Sequence, residues 1–304
     1  MGDPAPSRPL PGAVCDEMPS SAPWIGMLVP PGPPRHAASA TALPAVRADA
    51  GLLGGRWIAA ASLVGQSHSI RGNSAQDSYC FAASEDGEAL VLVICDGLGQ
   101  HAHTAQIGAE LFTRLCVAEI AAIPSAEVRD RGFEPLTEAA NIAVGKLLRC
   151  KDILLGGIGA KQLSCTALIC WLPLSHTDET EALFLRAGDC EAIWFSAAGG
   201  FEAVYPDADN GPLNLVRHTL PSPQVRDVLE SARSGVNRDG LLILATDGLA
   251  TDIFDSPHVR DWLVTQWARP CGAHRMLDSM RYRRQGSQDD RTAVVVWMDP
   301  PAYP

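Results

Sequence analysis

Hydrophobic positions along the chain follow two different spacings. Short apolar runs predict buried strands at 57–64, 77–83, 89–95, 164–171, 182–186, 192–196, 241–245 and 292–297. Apolar residues repeated every three or four positions predict helices at 102–123, 136–148, 257–267 and 273–283. Strand clusters joined by short links and separated by helical pairs predict an α+β fold, in which antiparallel sheets are covered by helices.

Two segments do not fit this pattern. Residues 1–52 are rich in Pro and Ala, and Pro cannot donate to a helix or sheet ladder, so we predict a disordered tail. One folded domain is predicted at 53–300. A short apolar stretch at 24–29 is the part of this tail that could pack against the domain. The polar, Pro-containing segment 199–238 predicts a long loop or flap.

Composition and charge exclude several classes of protein. A formal charge of −11 without a Lys/Arg cluster argues against a nucleic-acid partner. Nine cysteines without any C-x-x-C pair argue against a zinc site or a disulfide framework, and indicate a reducing cytoplasm. No apolar stretch approaches the roughly 20 residues of a membrane span, and the N-terminus lacks the order of a signal peptide. We therefore expect a cytoplasmic monomer that binds neither nucleic acid nor membrane.

Three apolar runs place an aspartate at a strand end. The run 91–95 leads into Asp96-Gly97, and the run 241–245 leads through a threonine into Asp247-Gly248. The third run is inverted, because Asp289 precedes the strand at 292–297. In an antiparallel sheet the start of one strand lies beside the end of its neighbour, so the three carboxylates could share one edge. A single Asp-Gly is more often a turn or a helix cap. A turn or cap does not explain why an aspartate occurs at the end of three buried strands.

A hairpin adds a fourth carboxylate to this edge. Asp86-Gly87 is typical of a two-residue turn, and such a turn pairs residues whose numbers sum to 173, so that Asp77 faces Asp96. Directly opposed side chains have Cβ atoms about 4.5–5.5 Å apart, and like charges at that distance repel. Carboxylates gathered so densely need cations, and hard oxygen ligands suit Mg²⁺ or Mn²⁺.

At this point the chain resembles the metal-dependent protein phosphatases of the 2C-like (PPM) family, over about 57–297. The family's motifs occur in order, and the Gln-Asp pair is most similar to a bacterial subgroup. They are Gln76-Asp77, Asp96-Gly97-Leu98-Gly99, Ser164-Cys165-Thr166-Ala167, Gly188-Asp189, Ala245-Thr246-Asp247-Gly248-Leu249 and Gly286-Ser287-Gln288-Asp289-Asp290-Arg291-Thr292.

The resemblance implies a fold and an activity. The fold would be a central sandwich of two antiparallel β-sheets flanked by antiparallel helix pairs. The activity would be hydrolysis of phosphoserine and phosphothreonine in a phosphorylated protein substrate, by a hydroxide that bridges two divalent cations, Mn²⁺ or Mg²⁺. A cognate Ser/Thr kinase would be the natural partner. Asp96 would bridge the two metals, Asp247 and Asp289 would complete the first, the Gly97 carbonyl would bind the second, and Asp77 would hold metal-bound waters.

The chain departs from the family at three positions. Gln76 stands where many members have Glu, which removes an anionic ligand from the second metal. Leu98 stands where some members have a proton-donating His, and Lys161 lies near the position of a third-metal aspartate. These departures keep open a second reading, a catalytically weak phosphatase-like binding or regulatory module. A remoter alternative is a hydrolase of small phosphorylated metabolites.

Other residues enter the candidate site by position. His68, His101 and His103 are candidates for the proton donor, with a packing or surface histidine as the alternative for each. Arg71 could hold the phosphate in a bidentate contact, although it lies one position from the family's arginine. Asp189 is predicted to fix a turn between two strands.

Overall fold

The computed structural model describes residues 24–25, 46–71, 73–98, 104–174, 181–197, 200–205, 218–236 and 240–298. The strands within these ranges are β1 (Trp24–Ile25), β2 (Val46–Leu53), β3 (Arg56–Leu63), β4 (Ser78–Ala83), β5 (Ala89–Cys95), β6 (Ala167–Pro173), β7 (Glu181–Ala187), β8 (Glu191–Ser196), β9 (Gly200–Ala203), β10 (Glu230–Gly235), β11 (Gly240–Ala245), β12 (Arg283–Arg284) and β13 (Arg291–Trp297). The helices are α1 (Gln66–Arg71), α2 (Ala105–Ala121), α3 (Ser125–Arg131), α4 (Phe133–Leu154), α5 (Val225–Val228), α6 (Asp247–Asp255), α7 (Pro257–Trp267) and α8 (Ala273–Ser279), with a 3₁₀ turn at Ala160–Leu163.

Two antiparallel sheets form the centre of the domain. One has the strand order β10-β7-β6-β5-β4, and the other has the order β2-β3-β13-β11-β8-β9. A separate two-stranded parallel pair joins β1 to β12. The predicted sandwich of two antiparallel sheets is confirmed.

Alternation along the strands divides the apolar residues among three layers. In β5, Val91 and Val93 pack beneath α2, α3 and α4, whereas Leu90 and Leu92 face the other sheet. Strand β13 alternates in the same way between the inter-sheet layer and a third layer under α6, α7 and α8. Both faces of each central strand are therefore buried, which explains why these strands are almost entirely apolar.

The β4–β5 register agrees with the prediction. Ser78 pairs with Cys95 and Tyr79 with Ile94, so paired numbers sum to 173. The turn itself differs, since the Gly87 N–H bonds to the Ser84 carbonyl and places Glu85 and Asp86 at the centre of the turn. Gly87 has a φ of +71°, a conformation that favours glycine.

Several element boundaries differ from those predicted. Strand β2 begins at Val46, inside the range predicted as tail, so the folded domain starts before residue 53. Within the predicted flap, β9, α5 and β10 are ordered, and β10 pairs with β7 along its whole length. Helix α8 ends at Ser279 rather than 283, and α6 was not predicted. No helix among the described residues is long and apolar enough to cross a membrane.

Candidate metal centre

Asp77 and Asp96 meet at one end of the gap between the two sheets. The β4–β5 register continues past the strands, because the Gly97 N–H bonds to the Gln76 carbonyl at 3.2 Å. The two intervening aspartates are therefore opposed, and their carboxyl groups lie within hydrogen-bonding reach of each other. The Thr246 hydroxyl, from the other sheet, donates to Asp77 Oδ2 at 2.7 Å and holds that carboxyl group in place.

Asp247 and Asp289 reach the same edge from the six-stranded sheet. Asp247 is the first residue of α6 and follows β11, while Asp289 lies just before β13, the neighbour of β11. The backbones pack very closely here, since a Cβ on Gly248 would lie 2.2 Å from the Asp290 carbonyl oxygen. A Cβ on Gly65 would lie 2.2 Å from the Asp289 carbonyl carbon, so glycine is required on both sides of this segment.

Burial and crowding raise the proton affinity of Asp77, Asp96 and Asp247. Burial raises the pKa of Asp77 well above its usual range, and the neighbouring Asp290 and Asp247 charges add to the shift. Burial and the Asp77 and Asp247 charges do the same for the pKa of Asp96. The pKa of Asp247 rises to about 7, first through burial and then through Asp189 and Asp289. Deprotonating the cluster is therefore unfavourable unless a cation compensates the charge.

Asp290 holds a different part of the site together. Its side chain is only 2% exposed, and it accepts the backbone N–H groups of Gly65 and Gln76, both at 2.6 Å. His68 Nδ1 lies 3.0 Å from Asp290 Oδ1, an ion-pair contact whose N–H direction does not meet hydrogen-bond geometry. This contact with Asp290, followed by the Asp289 and Asp77 charges, raises the pKa of His68 against the opposing effect of burial.

The donor set fits divalent cations. Gln76 is fully buried, and neither its amide oxygen nor its amide nitrogen has a hydrogen-bond partner among the described residues. A buried amide without a partner costs free energy, which an oxygen-seeking cation or its bound water would recover. Asp77, Asp96, Asp247 and Asp289 supply carboxylate oxygens, the ligands that Mg²⁺ and Mn²⁺ prefer.

The four carboxylates nevertheless do not form one close set of ligand atoms. Among the described residues, only His68, Asp289 and Asp290 place potential ligand atoms all within 4.8 Å of one another. Asp290 is a poor ligand there, because its two oxygens already accept from two backbone N–H groups. Asp96, Asp247 and Asp289 would bind one ion together only by side-chain rotation or through bound water, which Mg²⁺ commonly retains.

The remaining predicted residues lie at varied distances from this centre. Gly97 forms an isolated bridge to Cys165 beside Asp96. Arg71 is exposed at the last position of α1, and it forms no ion pair with another described residue. Lys161 is exposed in the 3₁₀ turn. His101 and His103, two of the proton-donor candidates, lie outside the described residues, as does Gly99.

Sequence reasoning missed three residues of the site. The motifs contain Asp290 and Thr246, but the sequence analysis assigns neither a role. Each lies next to a predicted metal ligand, and a polar residue in that position is a sequence signal for a group that holds the ligand in place. Asp189 was assigned to a turn, and it does follow Gly188, whose φ is +92°. The charge of Asp189 also helps to raise the pKa of Asp247. Asp189 is itself exposed to solvent, but the protein around it desolvates its carboxyl group enough to raise its pKa.

Comparison with known proteins identifies the family. The family model described as Protein phosphatase 2C matches residues 64–282, which is most of the chain. The chain therefore belongs to the protein phosphatase 2C family. No curated protein matches the chain by sequence.

Solved structures share the fold at low sequence identity. A serine/threonine phosphatase from S. agalactiae is 15% identical with a TM-score of 0.55, and the match covers 84% of this chain and 100% of that one. A bacterial serine phosphatase is 15% identical with a TM-score of 0.53, covering 85% and 99%. PppA, a key regulatory component of T6SS in Pseudomonas aeruginosa, is 18% identical with a TM-score of 0.49, covering 84% and 98%.

Proposed function

We propose that the protein is a phosphatase that hydrolyses phosphoserine and phosphothreonine in protein substrates, with the help of two divalent cations, Mn²⁺ or Mg²⁺. The observation that carries this proposal is the convergence of four carboxylates, those of Asp77, Asp96, Asp247 and Asp289, whose charges act on one another. Membership of the protein phosphatase 2C family supports the reaction class. A cognate Ser/Thr kinase, a monomeric state and a cytoplasmic location belong to the same proposal.

Each carboxylate has a separate task in this proposal. Asp96 is opposed to Asp77, and the charges of Asp77, Asp247 and Asp289 all act on it. In this proposal Asp96 would contact both cations. Asp247 and Asp289 would complete the first site, and the Gly97 carbonyl and Gln76 amide oxygen the second. Bound cations supply Lewis acidity and a water that is nucleophilic at neutral pH. Asp77, held at Oδ2 by Thr246, would orient water at its other oxygen.

His68 and Arg71 are proposed to act on the substrate. The His68 Nδ1 faces Asp290, so its Nε2 is the nitrogen left to donate a proton to the departing alkoxide. Its raised pKa keeps more of the imidazole protonated near neutral pH, as a general acid requires. Arg71 is exposed and long enough to approach a phosphate from the solvent side, where a guanidinium can contact two oxygens at once.

Gln76 also favours a second candidate function. A neutral amide in place of a carboxylate gives the second cation a weaker site, so the fold could bind a phosphoprotein without turnover. This reading predicts binding of a phosphopeptide and of metal, with hydrolysis no faster than in an Asp96→Asn variant.

Turnover of p-nitrophenyl phosphate and of a phosphothreonine peptide, measured with Mn²⁺ and with EDTA, tests the proposal. We expect hydrolysis in Mn²⁺, loss of hydrolysis in EDTA, and recovery when Mn²⁺ or Mg²⁺ is added in excess. Asp96→Asn is the matched control, because it changes one oxygen and keeps the side-chain shape. Full turnover in EDTA by a protein that holds no metal would refute the metal-dependent mechanism. Metal binding without turnover would favour the binding module.

A further inference from the structure

Asp252, on helix α6, is a buried carboxylate outside the cluster described above. Its side chain is 1% exposed, and it accepts hydrogen bonds from four other side chains. Tyr282 Oη donates at 2.7 Å, Arg284 Nη1 at 2.7 Å, Ser287 Oγ at 2.6 Å and Arg291 Nε at 3.1 Å. Because a buried carboxylate is costly unless its oxygens are satisfied, four donors to one group indicate a defined position.

All four donors come from one segment, 282–291, which also carries Asp289. Arg291 strengthens the connection, since its Nη1 donates to the carbonyls of Met280 and Tyr282 and its Nη2 donates to Ser287 Oγ. The Arg291 guanidinium also lies 4.1 Å from the centroid of the Tyr282 ring. The irregular chain leading to Asp289 is therefore tied to α6 through a single hydrogen-bonded network.

The same helix begins with Asp247. Asp252 lies five residues further along α6, which is about one and a half turns of a rigid helix. At the helix start, Gly248 packs directly against the backbone of Asp290 and the Cβ atom of Asp289. Asp252 thus links α6, which begins with Asp247, to the segment that carries Asp289.

We propose that Asp252 is a positioning residue that sets the distance between the Asp247 and Asp289 carboxylates, and so tunes the affinity of the site for a divalent cation. This inference rests on the proposed metal-dependent function. Groups that orient metal ligands from outside the coordination sphere commonly change metal affinity by about 10–100-fold when they are mutated. Asp252 does not contact substrate or cation in this arrangement, and it acts only through the two ligands.

Calorimetric titration of the full-length protein with Mn²⁺ tests the inference without relying on activity. We expect Asp252→Asn to weaken Mn²⁺ binding by about tenfold or more, because the amide NH₂ group would face arginine donors and release the segment. Ser287→Ala removes only one donor, at a half-buried position, so we expect a smaller weakening in the same direction with the fold retained.

Asp86→Asn is the control, at a distant and exposed carboxylate. Asp86 also accepts from several donors, namely the Ser84 hydroxyl and the backbone N–H groups of Glu88 and Ser125. It lies at the turn end of the β4–β5 hairpin, about 20 Å along the strands from Asp77 and Asp96. A general loss of stability would affect Asp86→Asn as well, but only the loss of positioning would selectively weaken Mn²⁺ binding.

Each outcome distinguishes the inference from the proposed function. If the wild-type protein does not bind Mn²⁺ at millimolar concentration, the proposed function itself fails. If the wild type binds Mn²⁺ and the Asp252→Asn and Ser287→Ala variants bind it as tightly as Asp86→Asn does, the inference is refuted while the function stands. If Asp252→Asn does not fold, Ser287→Ala decides, and unchanged affinity in that variant refutes the inference.

Discussion

Replacing Asp96 with Asn should stabilise the metal-free protein, although it removes the carboxylate that is proposed to contact both cations. Burial and the Asp77 and Asp247 charges raise the pKa of Asp96, so its ionised form is disfavoured in the folded state. The folded protein then binds more protons than the unfolded chain between the two pKa values, and its stability falls as pH rises through that range. Asn removes one of the repelling charges and keeps the side-chain shape.

The size of the effect follows from the opposed pair. Two unit charges at roughly 4 Å repel by about 4 kcal/mol at an effective dielectric constant of 20. Because the pair relieves much of this repulsion by holding a proton, we expect a gain of about 1–2 kcal/mol near pH 7. For a domain of this size each kcal/mol corresponds to about 2–4 °C in melting temperature, so the variant should melt roughly 2–8 °C higher. The gain should be larger at pH 8 than at pH 5.

Thermal melts in EDTA and in excess Mn²⁺ measure this effect. In EDTA the Asp96→Asn variant should have a higher melting temperature than the wild type. In excess Mn²⁺ the wild type should have the higher melting temperature, because a bound ligand stabilises only the protein that binds it. Asp252→Asn provides the contrast, since that carboxylate is fully satisfied and its loss should lower the melting temperature in both buffers. A lower melting temperature for Asp96→Asn in EDTA would refute the electrostatic reasoning.

Three further predictions concern metal affinity and the N-terminus. Asp247→Asn and Asp289→Asn should raise the Mn²⁺ concentration for half-maximal turnover and lower the rate, whereas an unchanged Mn²⁺ requirement would exclude them as ligands. Gln76→Glu should tighten Mn²⁺ binding by about tenfold if the added carboxylate contributes roughly 1.4 kcal/mol, and it should lower the melting temperature in EDTA. If calorimetry shows that the variant binds Mn²⁺ no more tightly than the wild type, Gln76 does not lie beside the cations. Deleting residues 1–45 should leave turnover of a small substrate nearly unchanged. Deleting residues 1–53 also removes β2 and should lower the melting temperature by several degrees. Equal melting temperatures for the two deletion variants would contradict a structural role for β2.

The sequence predicted the arrangement best where strand periodicity and pairing rules act together. Residues paired across β4 and β5 follow from one turn signal, and the same register carries beyond the strands to the opposed Asp77 and Asp96. The turn was predicted at the wrong pair of central residues without any effect on register. Register depends on the number of residues in the loop and on which face is buried, and both can be counted from the sequence.

Edge strands could not be predicted in this way. Strand β10, Glu230–Gly235, has a sequence of small and polar residues, and it forms because β7 offers a free edge and Arg186 pairs with Glu230. Strand β2 is mostly half-buried or exposed, and it lies at the edge next to β3. For such strands the stabilising contacts lie in the neighbouring strand, so local propensity carries little information.

The residues that support the candidate metal centre could not be predicted from the sequence, for a related reason. Each carboxylate could be assigned to a strand end from local sequence, but the groups that hold the carboxylates come from far along the chain. Thr246 donates to Asp77 across 169 positions, and the Gly65 N–H donates to Asp290 across 225. No periodicity or turn rule connects such pairs, because only the completed sandwich brings the two sheet edges together.

These long-range contacts also explain how the fold tolerates its acidic edge. Asp290 and Asp252 are buried carboxylates whose oxygens are satisfied by hydrogen-bond donors, and they join the loops to the sheets. Asp77 and Asp96 lie in the same region and face each other, and Asp77 accepts one hydroxyl donor, that of Thr246. The hydrogen-bonded Asp290 and Asp252 therefore stabilise the segments that bring the mutually repelling carboxylates close together. It follows that replacing Asp290 or Asp252 should destabilise the protein with or without a divalent cation. Replacing Asp77 or Asp96 should stabilise the protein in metal-free buffer, and this gain should be lost when a divalent cation is added.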